Sequence, residues 1–153
     1  MLTAVIVFLA RALLVALFLP FSALDKVMNF GAAVGQAQQA FSNRYLATGA
    51  ILCGLAIEVV MSLAILCGIA DRLAAVILAF YCVATALLWK QFWNLPDFRL
   101  RGPGNRDLFW DFWKNLALAG GFLSLAFGGV SAGVTQFAAD PFGSSHPYSQ
   151  VSR

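Results

Sequence analysis

Charge is scarce in this chain, histidine is nearly absent, and paired cysteine motifs are missing. Asp, Glu, Lys and Arg make up 11% of the 153 residues, where a water-soluble domain carries about 25%. With 61% hydrophobic residues and a mean hydropathy of +0.80, most side chains must have lipid or other helices as their solvent. The lone histidine, His146, lies in a polar stretch, so no apolar run offers the facing histidines of a membrane haem. Cys53, Cys67 and Cys82 lie in apolar runs without a CxxC. At about 1.5 Å of rise per residue they fall at three different depths, whereas a disulfide needs Cα atoms within about 7 Å. No Cys/His/carboxylate set has zinc spacing, and no glycine-rich loop joins a strand to a helix, so metal and nucleotide binding have no support. The net charge of +3 is modest. The basic residues flank apolar runs, which argues for membrane orientation and against nucleic-acid binding.

What is there is a series of apolar runs of spanning length. A helix needs roughly 20 residues to cross about 30 Å of hydrocarbon. Spans are expected at about 3–24, 45–69, 73–93 and 114–137, in one domain over residues 1–137. The first run has no Lys or Arg before it and no clean small-x-small site after it, so it reads as a retained span and not a cleaved leader. Pro20 should kink its last turns. Gly31 to Arg44 is too polar to span and reads as a connector with room for one short surface helix. Ala70-Asp71-Arg72 is a tight turn that makes spans two and three antiparallel neighbours. Gly120-Gly121 and Gly128-Gly129 allow close helix contact in the fourth span. Residues 138–153 hold Pro, Gly and Ser without periodicity and read as a disordered tail.

An even number of spans puts both termini on one side, here called side A. Side B carries Lys26, Arg44, Lys90, Arg99, Arg101, Arg106 and Lys114, and side A only Arg72 and Arg153. The bias makes side B, with the first and third connectors, cytoplasmic and places the termini outside.

Chemistry is expected where polar groups share a depth inside the spans. Glu58 lies near the middle of the second span, and an acid there needs a partner or a water-filled cavity. Counted at about 1.5 Å per residue, Arg11 and Glu58 come to roughly 12 and 16 Å from side A, with Tyr81 and Ser124 at comparable levels. Arg11, Glu58, Tyr81 and Ser124 therefore form a candidate buried polar centre with Arg11 paired to Glu58. Two readings stand: a pair that fixes helix register, or a proton- or quinone-handling pocket with Glu58 as proton acceptor. At side B, Trp89, Trp93, Trp110 and Trp113 with Lys114 are candidates to wall a quinone headgroup, with Lys26, Asp111 and Asn115 at the same level. The alternative for these aromatics is an ordinary interfacial belt.

The order of motifs resembles the DoxX family. Arg11-Ala-Leu-Leu-Val-Ala-Leu-Phe18 followed by Phe21-Ser-Ala-Leu-Asp-Lys26 is similar to that family's first helix, with Ala23 where a glycine is usual. Glu58, Gly68, Asp71-Arg72 and Ala74-Ala75 resemble its second helix, turn and third-helix start. Asp111-Phe-Trp-Lys114-Asn115 with Gly120-Gly121 resembles the start of the fourth. The resemblance implies an all-α, four-helix transmembrane bundle in a bacterial inner membrane. It further implies an accessory subunit of a quinone-linked redox system more than a stand-alone enzyme. An oxidoreductase would then dock on the Arg99/Arg101/Arg106 connector. A small proton-coupled transporter and a non-catalytic assembly factor are the alternatives, because fold transfers better than function.

Overall fold

Pro20 sets the shape of the first span. Its ring lacks an N–H and drives the preceding residue out of the helical region, and Leu19 stands at φ −120°, ψ 110°. In the computed structural model, which describes residues 2–96, 98–99, 106–128 and 133–149, α1 (Leu2–Val15) therefore runs into a π-helical kink at Leu17–Ser22 before α2 (Ala23–Met28) resumes. The kink sits where the sequence placed it. The span continues past Leu24 to Met28, so Lys26 belongs to it along with Ser22.

The first connector holds the one short helix it had room for, and that helix packs its apolar face inward. The helix is α3 (Phe30–Ala37), whose Val34 and Ala37 are buried against Ala47, with Phe41, Ile51 and Trp89 packed around them. α4 (Arg44–Cys67) starts where the Asn43 side chain accepts the Tyr45 N–H at 2.8 Å, an N-cap that satisfies one free donor of the first turn. It ends at Gly68, in the left-handed region at φ 71°, where glycine bears no Cβ penalty. The turn leads at once into α5 (Asp71–Trp89), antiparallel to α4 as the short loop requires.

Among the described residues three stretches are long and apolar enough to cross a membrane: Leu2–Met28, Arg44–Cys67 and Asp71–Asn94. The fourth helix, α6 (Asp107–Phe127), has 21 residues, about 30 Å of length, and lies along α5. Its first turns hold Asp107, Asp111, Lys114 and Asn115, which lower its hydropathy below that of the other three. The fourth span expected at about 114–137 is thus corrected: the helix begins at Asp107 and stops at Phe127, and α7 (Gly133–Ala139) is a separate short helix. No strand occurs among the described residues. Gly129 lies outside them. Gly120 has open space around it and Gly121 meets only Leu14. Close contact between α5 and α6 comes instead from alanines: Ala74, Ala75 and Ala79 cluster with Ala119 and Ala126, together with Phe122 and Leu78.

The tail was expected to lack structure, and its described part is instead fastened to the bundle end. Ser144 Oγ donates to the Gly68 carbonyl, Tyr148 Oη to the Leu66 carbonyl at 2.5 Å, and Pro147 rests over Gly68. These contacts cover the last carbonyls of α4, which no helical N–H reaches. Phe8 of α1 meets the Tyr148 ring at 6.4 Å. The α4–α5 turn, the start of α1 and the tail thus share one end of the bundle.

A methyl at position 68 would stand 2.9 Å from Pro147 and force a non-glycine residue to positive φ. Gly68→Ala is expected to lower stability by about 1–2 kcal/mol, read as a reduced melting midpoint in detergent micelles. An unchanged midpoint would show that the turn and the tail above it are not held as described.

Candidate functional site

The kink at Leu19 points Ser22 and Lys26, one helical turn apart, at the middle of α4. Lys26 Nζ lies 2.7 Å from Glu58 Oε1 and 2.6 Å from Ser22 Oγ. Ser22 Oγ donates to the same carboxylate oxygen at 3.1 Å, and Tyr81 Oη from α5 donates to it at 2.8 Å. Phe18 packs edge-on to the Tyr81 ring at 6.2 Å and fixes its direction. Glu58 is 1% exposed. A carboxyl group so buried needs polar partners, and here a cation and two hydroxyls meet it. All three bonds fall on Oε1. Oε2 is buried and has no hydrogen-bond partner among the described residues.

This cluster floors a cavity of about 550 Å³ that rises toward the α2–α3 end. Leu17, Phe18, Ala33, Ala37 and Ile51 supply apolar wall, and Gly54 keeps the floor open beside Tyr81. Tyr81, Thr85 and Trp89 line it at successive turns of α5, and Lys90, Asp111, Lys114 and Asn115 stand at the mouth. Lys90 Nζ is 3.2 Å from Asp111 Oδ2 and Lys114 Nζ 3.5 Å from Asp111 Oδ1. Trp89 Nε1 is a second buried polar atom without a partner among the described residues. Both atoms belong to residues that line the cavity, and both lie beneath its surface. Among the described residues no cluster of His, Cys, Asp and Glu could hold a metal ion.

A second polar site lies at the opposite end. Arg11 Nη2 is 2.6 Å from Asp71 Oδ2, and Nη1 donates to the Ile65 carbonyl at 2.7 Å. Ser145 of the tail donates to Asp71 through its N–H at 2.8 Å and its hydroxyl at 2.5 Å. Arg11 Nη2 also donates to Ser145 Oγ at 2.9 Å. The Tyr148 ring faces the guanidinium at 6.0 Å, within cation–π range. Asp71 is fully buried under this tail segment.

The Arg11–Glu58 pair expected from depth is therefore replaced by two separate pairs. Arg11 reaches toward side A and Lys26 reaches inward from side B, because long basic stems carry their charge well away from their own Cα. Counting Cα depths missed both reaches. Ser124 is on the exposed side of α6, away from Glu58. Of the candidate headgroup residues, Trp89 and Lys114 line the cavity, whereas Trp93, Trp110 and Trp113 are about half exposed. The latter three join Phe92, Phe109 and Phe112 in an edge-to-face cluster between the end of α5 and the start of α6, with Phe98 stacked on Phe109. Arg99 and Arg106 are exposed, and Arg101 lies outside the described residues. The three cysteines are free, with Cys82 buried and Cys53 and Cys67 exposed on the helix surface. Ser22, Asp71 and Ser145 were not singled out for these roles. The signal for Ser22 was its four-residue spacing from Lys26; that for Asp71 was its place directly after a helix-ending glycine.

A double-mutant cycle separates the two pairings. Lys26→Met with Glu58→Gln should show coupling of about 1–3 kcal/mol, and Arg11→Met with Glu58→Gln coupling near zero, read from unfolding in mixed micelles. Strong coupling in the second cycle would restore the single central pair.

The profile of the DoxX family matches residues 6–91, the region from α1 through α5 that carries both ion pairs. The chain is also similar to the inner membrane protein YphA of Escherichia coli (strain K12), 30% identical over 128 residues covering 84% of this chain and 86% of that protein. No solved structure matches. The relationship and the three apolar helices together support a location in the bacterial inner membrane. With more than half its length inside the family profile, the chain belongs to the DoxX family.

Proposed function

We propose that this chain is a membrane subunit of a quinone-linked redox system and that the cavity above Glu58 receives the quinone headgroup. The observation that carries the reading is one cavity lined both by the Lys26, Glu58 and Tyr81 cluster and by an apolar wall. The Glu58 carboxylate is an acceptor suited to a quinol hydroxyl. The third N–H of Lys26, whose other two serve Ser22 and Glu58, is a donor suited to a carbonyl oxygen. Leu17, Phe18 and Ile51 suit the ring and the start of an isoprenoid chain. A bound quinone supplies reversible two-electron, two-proton chemistry. The chain's own part is to orient the ring and to hold a proton at Glu58.

The basic connectors favour a cytoplasmic mouth for this cavity. Arg99 and Arg106, exposed beside the aromatic cluster, suit an acidic face of a cytoplasmic oxidoreductase. A proton-coupled carrier is the second reading, favoured by the same buried carboxylate.

Purification of the tagged chain in a mild detergent, followed by mass spectrometry, is expected to find both quinone and an oxidoreductase. Gly54→Leu fills the floor next to Tyr81 and should lower retained quinone by about tenfold or more. Trp89→Phe keeps the packing and should lower it less. A chain that carries neither quinone nor partner would sink the redox-subunit reading in favour of the carrier.

A further inference from the structure

We propose that the mouth of the cavity binds a phospholipid whose headgroup joins a phosphate diester to a primary ammonium, the chemistry of phosphatidylethanolamine. Two ammonium groups at the mouth share a single carboxylate. Lys90 Nζ is 3.2 Å from Asp111 Oδ2 and Lys114 Nζ is 3.5 Å from Asp111 Oδ1. Charge-assisted N–H···O bonds close to about 2.7–2.9 Å, and the two buried pairs of this chain are that short, at 2.7 and 2.6 Å. The mouth pairs are loose by comparison, and one positive charge is left over. The Lys90 side chain is 26% exposed and that of Lys114 72%, so both cations can meet an incoming phosphate.

The complementary charge is on α2. Asp25 also lines the cavity and is exposed. Its Oδ1 accepts from the Asn29 amide at 2.8 Å, and no cation pairs with it among the described residues. Lys26, its neighbour in sequence, is committed to Glu58 at the floor. The lining as a whole is balanced, with Lys26, Lys90 and Lys114 against Asp25, Glu58 and Asp111. At the mouth the charges are separated: the surplus cation is on the α5–α6 side and the surplus carboxylate on α2. A simple anion would meet Asp25 as well as the lysines and be repelled by it. A headgroup carrying both charges satisfies both walls.

The position of the mouth identifies the source as a lipid. Lys90 directly follows α5, and Lys114 lies in the second turn of α6. The half-exposed Trp93, Trp110 and Trp113 flank the same two helix ends, and tryptophans of this kind mark the headgroup level of a bilayer. Below the mouth, Leu17 lines the cavity and is half exposed, and Phe21 and Leu24 of the same span are exposed. Apolar surface for acyl chains therefore adjoins a polar site of headgroup character.

The test uses the purified full-length chain, stripped of lipid and quinone in mild detergent. It is titrated with dioleoyl phosphatidylethanolamine, phosphatidylglycerol or phosphatidylcholine, and retained lipid is counted by native mass spectrometry. Phosphatidylglycerol keeps the phosphate without the ammonium. Phosphatidylcholine keeps both charges without the N–H that Asp25 would accept. The ethanolamine lipid is expected to be retained about threefold or more over each of the others. Lys90→Gln combined with Lys114→Gln should lower its retention by about tenfold. Asp25→Asn should erase the preference for ethanolamine while leaving phosphatidylglycerol bound at least as well, a change in selectivity that loss of packing would not produce. Equal retention of the three lipids, or a preference that survives Asp25→Asn, would overturn the proposal. If the double lysine variant does not fold, the exposed single change at Asp25 decides alone. Water-soluble glycerophosphoethanolamine at the same concentration should not displace the lipid; displacement would make the ligand a soluble phosphate ester and overturn the lipid assignment. Because no quinone is present, failure here leaves the quinone reading standing, and loss of quinone binding leaves this one standing.

Discussion

The ion pair between Lys26 and Glu58 is the constraint around which this bundle is arranged. A carboxylate in the middle of a spanning helix has no water to hold its charge, and its partner must come from another helix. Lys26 can serve only because the first span bends at Leu19 and continues as α2. The bend gives the carboxylate three donors on one oxygen and leaves a cavity on the inside of the corner, which α3 folds over to wall. Proline, kink, cation, acid and cavity are one device. Replacing Lys26 or Glu58 by an apolar residue of similar volume would leave the other stranded in a low-dielectric interior.

The opposite end solves the same problem with different parts. Arg11 and Asp71 neutralise each other, and the oxygens of Asp71 are completed by the backbone and hydroxyl of Ser145. The two pairs differ in access. Glu58 opens onto a cavity of about 550 Å³, whereas Asp71 is sealed under a segment that also covers the C-terminal carbonyls of α4. One end therefore suits a ligand and the other suits closure.

Much of this was legible in the sequence because bilayer thickness and backbone hydrogen bonding leave few options for a chain so poor in charge. The helical class, three of the four expected spans, the antiparallel turn at Ala70 to Arg72 and the kink at Pro20 followed from those constraints, and the family from the order of its motifs. The pairing of charges did not. Arg11 and Glu58 share a Cα depth, but pairing depends on where a long side chain ends and on which way a kinked helix turns. Neither is encoded in position along a straight helix. Ser124 failed for a related reason, since depth carries no information about helix face. The tail misled because its Pro, Gly and Ser composition lacks periodicity, and yet its Ser144 and Tyr148 meet backbone carbonyls that any helix end leaves free. Trp93, Trp110 and Trp113 were marked by type and level, and a belt tryptophan and a cavity tryptophan look alike in sequence.

The distribution of the Arg11 contacts along the chain bears on biogenesis. Its carbonyl partner Ile65 is 54 residues downstream and its partner Ser145 is 134 residues downstream. The first helix must therefore leave the translocon with its guanidinium unmatched, a burden of about 2.5–3.5 kcal/mol on insertion scales. The segment Leu2–Met28 has the highest hydropathy of the three spans, 2.6, and that surplus of leucine, valine and phenylalanine carries the charge into lipid. A first helix no more apolar than α5 would have to wait at the translocon for its counter-ion, so the greasiness of α1 is a requirement of synthesis order as much as of the finished fold.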